Sequence, residues 1–435
     1  MDPRTHEGLS RTSRLINEQF FGGRADEERI SAALPQLVIA ITADARNMQT
    51  PAAQTLIVTL ATLIARMGIG VQLDCPDEAL ASLQPPLHGG HLRSALIDLG
   101  ADLIPGVPIA LKLARPVMTF AIGDSSCRQA GALRLAGGDW DLAIEPAARC
   151  GRRWEAEPPF GPVACAAAAA GEALRAALPR LAELVGAELV AAAHRLESGQ
   201  EIRLDLRRWF PGRIEADIGA VDAISGGAIT SAALYVLLRV PAIEGVMRVI
   251  EGEVLDLSNV NRYMLSRASL GGHAKTRMLE AYSSPRLRIA GMPLRYDADN
   301  VAIIGPLASR VLVGVDHIPS RWLVQEHAAG WVAVAATQSL DALASAHRPG
   351  EPCAGCLHQR EPDVDELVPT ISFVSLWSGL MLALELLTEA ADARPDQQAL
   401  FCWPSGYNGP HLMRLPVAAQ LACPVGCEAS RERAA

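Results

Sequence analysis

Short apolar runs, each closed by a polar or glycine-bearing turn, recur along this chain and set out its elements. Leu37–Thr42 (LVIAIT) is apolar up to its last residue, the near-continuous pattern of a strand buried on both faces of a parallel sheet. The polar turn ADARNMQT leads to Pro51, a residue suited to the first turn of a helix, and an apolar helix is predicted from there to about Met67. Gly68 and Gly70 end it, and Val71–Leu73 begins a second strand that reaches Asp74, completing a βαβ unit. Val117–Ile122 predicts a later strand and Pro158–Leu178 (PPFGPVACAAAAAGEALRAAL) an alanine-rich helix. A corresponding series follows: strand Val221–Ile224, turn Ser225-Gly226-Gly227, helix Thr230–Leu238, strand Val311–Val315 and helix Pro369–Leu387. Order and approximate spacing agree between the two series. The expected fold is therefore α/β, with two tandem Rossmann-like domains built on mostly parallel sheets. Residues 1–205 form the first and 206–435 the second, with the boundary near 196–212, where the chain turns polar and arginine-rich. An unrelated Rossmann-like first half is the alternative.

Composition narrows the classes. The 435 residues are half apolar and 20% charged, enough for large buried cores in two or three domains. A net charge of −9 argues against general binding to nucleic acid or anionic membrane. The start, MDPRTHEGLSR, has no apolar core segment of a signal peptide. Ile371–Leu387 is the most membrane-like stretch, but it is short and contains Glu385, and it reads as a helix buried against a sheet. A cytoplasmic protein with neither nucleic-acid nor membrane partners is expected.

The chemistry concentrates in residues 247–275, MRVIEGEVLDLSNVNRYMLSRASLGGHAK. The strand Met247–Ile250 runs into Glu251 and Glu253, then Ser258-Asn259, Asn261-Arg262 and finally Lys275. An acid at the end of a second Rossmann strand is where ribose hydroxyls are gripped. An Asn, an Arg and a Lys close behind can hold phosphates. Spacing alone also allows a solvated polar loop. Further along, Arg310–Asp316 (RVLVGVD) is an apolar strand ending in an acid, which would face the ligand crevice of such a sheet. Cys353-Ala-Gly-Cys356 and Cys423-Pro-Val-Gly-Cys427 are two close thiol pairs that could close a tetrahedral zinc site. The remaining cysteines are scattered, as in a reducing compartment.

The string at 251–275 resembles the D-x-D-x-x-x-x-S-N-x-x-R-Q…K signature of ThiF/MoeB-type and ubiquitin-activating (E1-like) adenylyltransferases. The resemblance implies ATP and Mg2+ as cofactors. It assigns Glu251 and Glu253 to the nucleotide, Asn259, Arg262 and Lys275 to phosphates, and Asp316 to magnesium, with Arg321 matching an arginine that commonly follows. It likewise makes Cys353, Cys356, Cys423 and Cys427 a structural zinc set, although the second spacer here is one residue longer than usual. Ser10–Leu15 (SRTSRL) is similar to an N-terminal family helix whose arginine crosses to the partner domain. Arg14 is the match and Arg11 the weaker one. The first half, lacking these motifs, resembles an inactive adenylation domain paired with an active one. The implied activity is ATP-dependent adenylation of the C-terminal carboxylate of a ubiquitin-like protein, for transfer to an E2-like conjugating enzyme. The alternatives are a peptide or sulfur-carrier adenylyltransferase, or a non-catalytic scaffold for a ubiquitin-like protein. Two departures stand out. Of the family's G-x-G-G-x-G turn only the central Gly226-Gly227 survives, and the loop Leu357–Thr370 contains no cysteine to serve as a nucleophile.

Overall fold

Two sheets of matching topology run through the computed structural model. It describes residues 3–427 except 114, 125–130, 148–150, 152, 191–199, 360–368, 394 and 405–408. The first half opens with helices α1 (Pro3–Phe20) and α2 (Glu27–Ala33). Strand β1 (Val38–Ala43), helices α3 (Ala45–Met48) and α4 (Pro51–Arg66), and strand β2 (Gly70–Asp74) form the expected βαβ unit. Helix α5 (Leu92–Gly100) and strands β3 (Ile109–Ala110), β4 (Met118–Ile122), β5 (Leu133–Gly137) and β6 (Asp141–Pro146) follow. Helix α6 (Phe160–Val185) and strand β7 (Ile202–Asp205) close the half. The second half begins β8 (Asp217–Ile224), α7 (Ala228–Leu237), β9 (Glu244–Ile250), α8 (Lys275–Glu280) and β10 (Leu287–Met292). It continues with α9 (Val301–Ile304), β11 (Arg310–Val313), α10 (Ile318–His327), β12 (Trp331–Gln338) and β13 (Asp341–His347). Last come α11 (Ala354–Leu357), α12 (Ser372–Ala390), β14 (Ala399–Trp403) and β15 (His411–Leu415).

The strand order is β3-β2-β1-β4-β5-β6-β7 in one sheet and β10-β9-β8-β11-β12-β13-β14-β15 in the other. In each, the first five strands are parallel and those beyond them antiparallel. The α/β reading with two mostly parallel sheets therefore holds. Helix α6 runs past the expected end at Leu178, through Pro179, to Val185. Proline removes one helical hydrogen bond, but Leu181 and Val185 are buried in the core, and that burial carries the helix on.

The halves join through α4, α6, α7 and α12, which pack against one another between the sheets. Helix α12 is the segment that looked membrane-like, and 89% of its apolar window is buried inside the protein. Thr59 Oγ1 and Tyr235 Oη lie 2.7 Å apart across this junction, and Ser372 Oγ donates to Leu63 O at 3.0 Å. Two arginines at helix C-terminal ends cross it in opposite directions. Arg239, just past α7, donates to Gln84 Oε1 (3.2 Å) and to Pro85 O in the first half. Arg66, the last residue of α4, is fully buried and donates to the carbonyls of Val260, Met264 and Ser266 (2.7 Å for the last). Burial pulls the Arg66 guanidinium down to about 9, so it stays charged at neutral pH. Removing it strands three buried carbonyls. Arg66→Met is expected to cost about 2 kcal/mol, read as a lower urea midpoint, because an unmet buried acceptor loses about 1–3 kcal/mol. An unchanged midpoint would show that water or a neighbouring group satisfies them.

Candidate nucleotide site and thiol cluster

The second sheet reverses its order between β8 and β11, the place where an open α/β sheet leaves a crevice at the carboxyl ends of its strands. A cleft lies there. Glu251 and Glu253 follow β9, Arg262 and Tyr263 lie on the loop before α8, and Lys275 starts that helix. Asp316, His317 and Arg321 come from the end of β11 and from α10, Arg295 and Tyr296 from beyond β10, and Arg11 from α1 of the other half. Its floor is the turn into α7, whose N-cap, Gly227, supplies no side chain to the first turn. The first backbone N–H groups of that ten-residue helix are thus left for a ligand, with the positive end of the helix dipole behind them.

The turn is built without the family's outer glycines. Ser225 takes a positive φ of 82°, a conformation costly for a residue with a Cβ. Its hydroxyl accepts from Gly227 N at 3.0 Å and is 3.3 Å from Glu251 Oε2. Glu251 Oε2 also accepts from Gly226 N (2.9 Å), and its Oε1 from Glu253 N (2.9 Å). The carboxylate at the end of β9 thus pins the turn. A Cβ on Gly226 would come within 3.2–3.4 Å of Glu251 and Lys275, so a side chain there crowds both. Gly314 approaches α7 closely, and any Cβ on it would meet Thr230 Oγ1 at 2.8 Å.

The cations sit differently. Arg262 is buried, its Nη1 donating to Ser258 O (2.7 Å) and Asn261 Oδ1 (2.8 Å). Burial pulls it to about 10, still cationic at neutral pH. Lys275 is equally buried. Burial alone would lower its pKa, but Tyr263, Glu251 and Glu253 outweigh it and raise it, the last at 2.5 Å from Nζ. Tyr263, which sequence reasoning passed over, has its ring 5.5 Å from Lys275 Nζ and 5.4 Å from Arg262 Cζ, within cation–π range. Arg321 Nε and Nη2 both donate to Val315 O (3.0 and 2.8 Å), fixing the backbone next to Asp316. Burial pulls Arg321 to about 10. Asp316 itself is exposed, and its Oδ1 accepts from His317 N.

Two expected side chains are not brought to the cleft. Arg14 lies on α1 and pairs with Glu18 one turn on, at 2.8 Å, while Arg11 lines the cleft in its place. Asn259 is buried and turned inward, its Oδ1 accepting from Asp256 N as half of a capping box. Arg295 and Tyr296 line the cleft unannounced, because the segment beyond β10 carries no motif. The cysteine-free loop falls largely on 360–368, outside the described residues.

Packed against β13 and β14, the thiols of Cys353, Cys356, Cys423 and Cys427 all lie within 4.8 Å of one another. Cys353 to Cys423 is 3.4 Å and Cys356 to Cys427 is 3.6 Å. Four thiolates about 2.3 Å from one zinc would stand roughly 3.8 Å apart, so this donor set fits the ion. Gly426, at φ +60°, curls the longer second spacer back toward the cluster, donating to Cys423 O. Burial pushes the Cys356 thiol up to about 11 and that of Cys353 higher, whereas hydrogen bonds outweigh burial at Cys423 and lower it.

Known proteins share parts of this chain. Residues 38–186 match the family model of the BilD N-terminal domain. The uncharacterized protein y4jF of Sinorhizobium fredii (strain NBRC 101917 / NGR234) is 32% identical over 152 residues, 34% of this chain and 29% of that relative. The match therefore spans under a third of the relative's length. E. coli MccB with AMPCPP and MccA is similar at 16% identity and a TM-score of 0.40, over 48% of this chain and 66% of that one. PaaA is similar at 13% identity and a TM-score of 0.36, over 45% and 64%. At that level the solved structures bear on no residue's role.

Proposed function

We propose that the cleft binds ATP and that the chain adenylates a carboxylate of a polypeptide, as the resemblance to E1-like adenylyltransferases implies. The observation that carries this reading is the convergence of Arg11, Arg262 and Lys275, from three separate elements, on an uncapped helix N-terminus between Glu251 and Asp316. Such an array suits phosphoryl chemistry, where positioning and charge neutralisation do most of the work. Glu251 would hold the ribose, the Gly226–Gly227 turn and the cations the triphosphate, and Asp316 a magnesium ion. The ion would neutralise phosphate charge. A carboxylate oxygen attacks the α-phosphorus, the bond to the pyrophosphate oxygen breaks, and acyl-AMP and pyrophosphate form. No base is needed, because the attacking carboxylate is already ionised.

The first half would be the inactive partner. At the position matching Gly314, Gly123 faces Asp44 and Asn47 with no room for a Cβ. Asp44 accepts from Asp124 N and Asn47 N, and Asn47 Oδ1 accepts from Trp154 N at 2.9 Å. Side chains thus take the space a nucleotide would need. The thiol cluster would hold a structural zinc.

ATP–pyrophosphate exchange tests the reading, using candidate acceptors with wild type and Asp316→Asn. Exchange that needs the acceptor's free carboxylate and falls about 100-fold or more in the variant is expected. A small ubiquitin-like protein as acceptor would favour the conjugation route with an E2-like enzyme, and a short peptide the peptide-modifying one. Tight acceptor binding without exchange would favour the scaffold.

A further inference from the structure

We propose that Asn261 is a positioning residue that ties Arg262 to helix α1, so that the first half helps set the geometry of a cleft built mostly by the second. The inference rests on the adenylation reading above. Asn261 is 0% exposed. Its Nδ2 donates to Thr12 Oγ1 at 2.9 Å and to Thr370 O at 3.2 Å, and its Oδ1 accepts from Arg262 Nη1 at 2.8 Å. The amide can be placed only one way round, because a guanidinium only donates and a carbonyl only accepts. Three elements therefore meet at one side chain: α1 of the first half, the approach to α12, and the loop that carries Arg262.

The consequence for Arg262 is directional. Nη1 is committed to Ser258 O and Asn261 Oδ1, and its other nitrogens make no protein hydrogen bond among the described residues. The guanidinium fork is thus held by one corner with the rest directed elsewhere. Fork geometry matters for phosphate, which is read by paired N–H groups in one plane. Thr12 is itself fully buried and stands next to Arg11, which lines the cleft from the same helix. A shift of α1 would move Arg11 directly and Arg262 through Asn261, so both cations follow one helix. Arg66 holds the same loop from beneath through Val260, Met264 and Ser266.

Thr12 is buried and is not among the residues that line the cleft, which makes it the place to test the tie. Thr12→Val keeps nearly the same shape and deletes the hydroxyl, and Thr12→Ser keeps the hydroxyl. ATP–pyrophosphate exchange is measured for both over a range of ATP concentrations, with thermal melts alongside. In Thr12→Val, kcat is expected to fall about tenfold with Tm nearly unchanged, and Thr12→Ser to stay within about twofold of wild type. If the valine variant does not fold, Thr12→Ala reads the same loss. Wild-type kcat and KM in a folded Thr12→Val or Thr12→Ala would overturn the inference while leaving adenylation standing. A loss of activity that only follows the folded fraction would overturn it too. Absence of exchange in the wild type with every acceptor would instead remove the adenylation reading itself.

Discussion

Arg262→Ala is expected to lower ATP–pyrophosphate exchange by about 1,000-fold or more, the largest single effect in the cleft. The guanidinium is buried, so its charge acts through little solvent, and burial leaves it protonated at neutral pH. Its neighbour Lys275 is neutralised in part by Glu253 at 2.5 Å and by Glu251 at 3.9 Å, whereas Arg262 has no carboxylate within ion-pair distance among the described residues. Arg262 is therefore the cation whose charge is most available to a phosphate. Arg262→Lys should recover little, because an ammonium cannot hold Ser258 O and Asn261 Oδ1 at one corner and still present a fork. The check is exchange kinetics with circular dichroism to establish folding. Activity of a folded Arg262→Ala within tenfold of wild type would sink the assignment.

Removing the metal from the thiol cluster is expected to cost stability rather than chemistry. Four sulfurs close a tetrahedron and leave no open position for a substrate. The apolar packing around them is small, with Ala399 and Val417 buried and Leu343 and Phe401 partly so, and it cannot replace the tie between 353–356 and 423–427. Cys353→Ser, or exhaustive chelation, should lower Tm by about 10 °C, on the order of 4 kcal/mol. Zinc should fall from one to zero per chain. The direction with pH follows from the thiols. Burial raises Cys353 and Cys356, so binding zinc must displace their protons, and affinity should weaken as pH falls. Protein purified without chelators that carries no zinc, and whose Cys353→Ser variant melts with the wild type, would refute this.

Much of the fold was legible because parallel strands buried on both faces read as near-continuous apolar runs. β1 and β4, apolar but for one threonine each, announce themselves that way, β8 less so because Asp222 interrupts it, and the glycines after α4 mark the turn. The gathering of Glu251, Arg262, Lys275 and Asp316 in one cleft was legible for a related reason: residues just beyond the carboxyl ends of neighbouring strands converge whatever separates them in sequence. The choice between Arg11 and Arg14 was not. Three residues apart on a helix, they point about 60° apart, and which one meets the cleft depends on how α1 is rotated against the other half. Nor was the inward turn of Asn259, since an Asn beside a turn can spend its side chain on the backbone, and here its Oδ1 accepts from Asp256 N. Nothing local in sequence could show that Arg66 and Arg239 cross between halves, since their partners lie roughly 155 to 200 positions away.

Helix α1 carries Arg11 into a cleft built by residues more than 200 positions downstream, on the same polypeptide. When such an arginine comes from a second subunit, the complete site exists only in the associated fraction, and dilution empties it. Here the covalent link replaces an association equilibrium with a fixed effective concentration. With respect to this arginine, each molecule carries its own finished cleft however scarce the protein becomes.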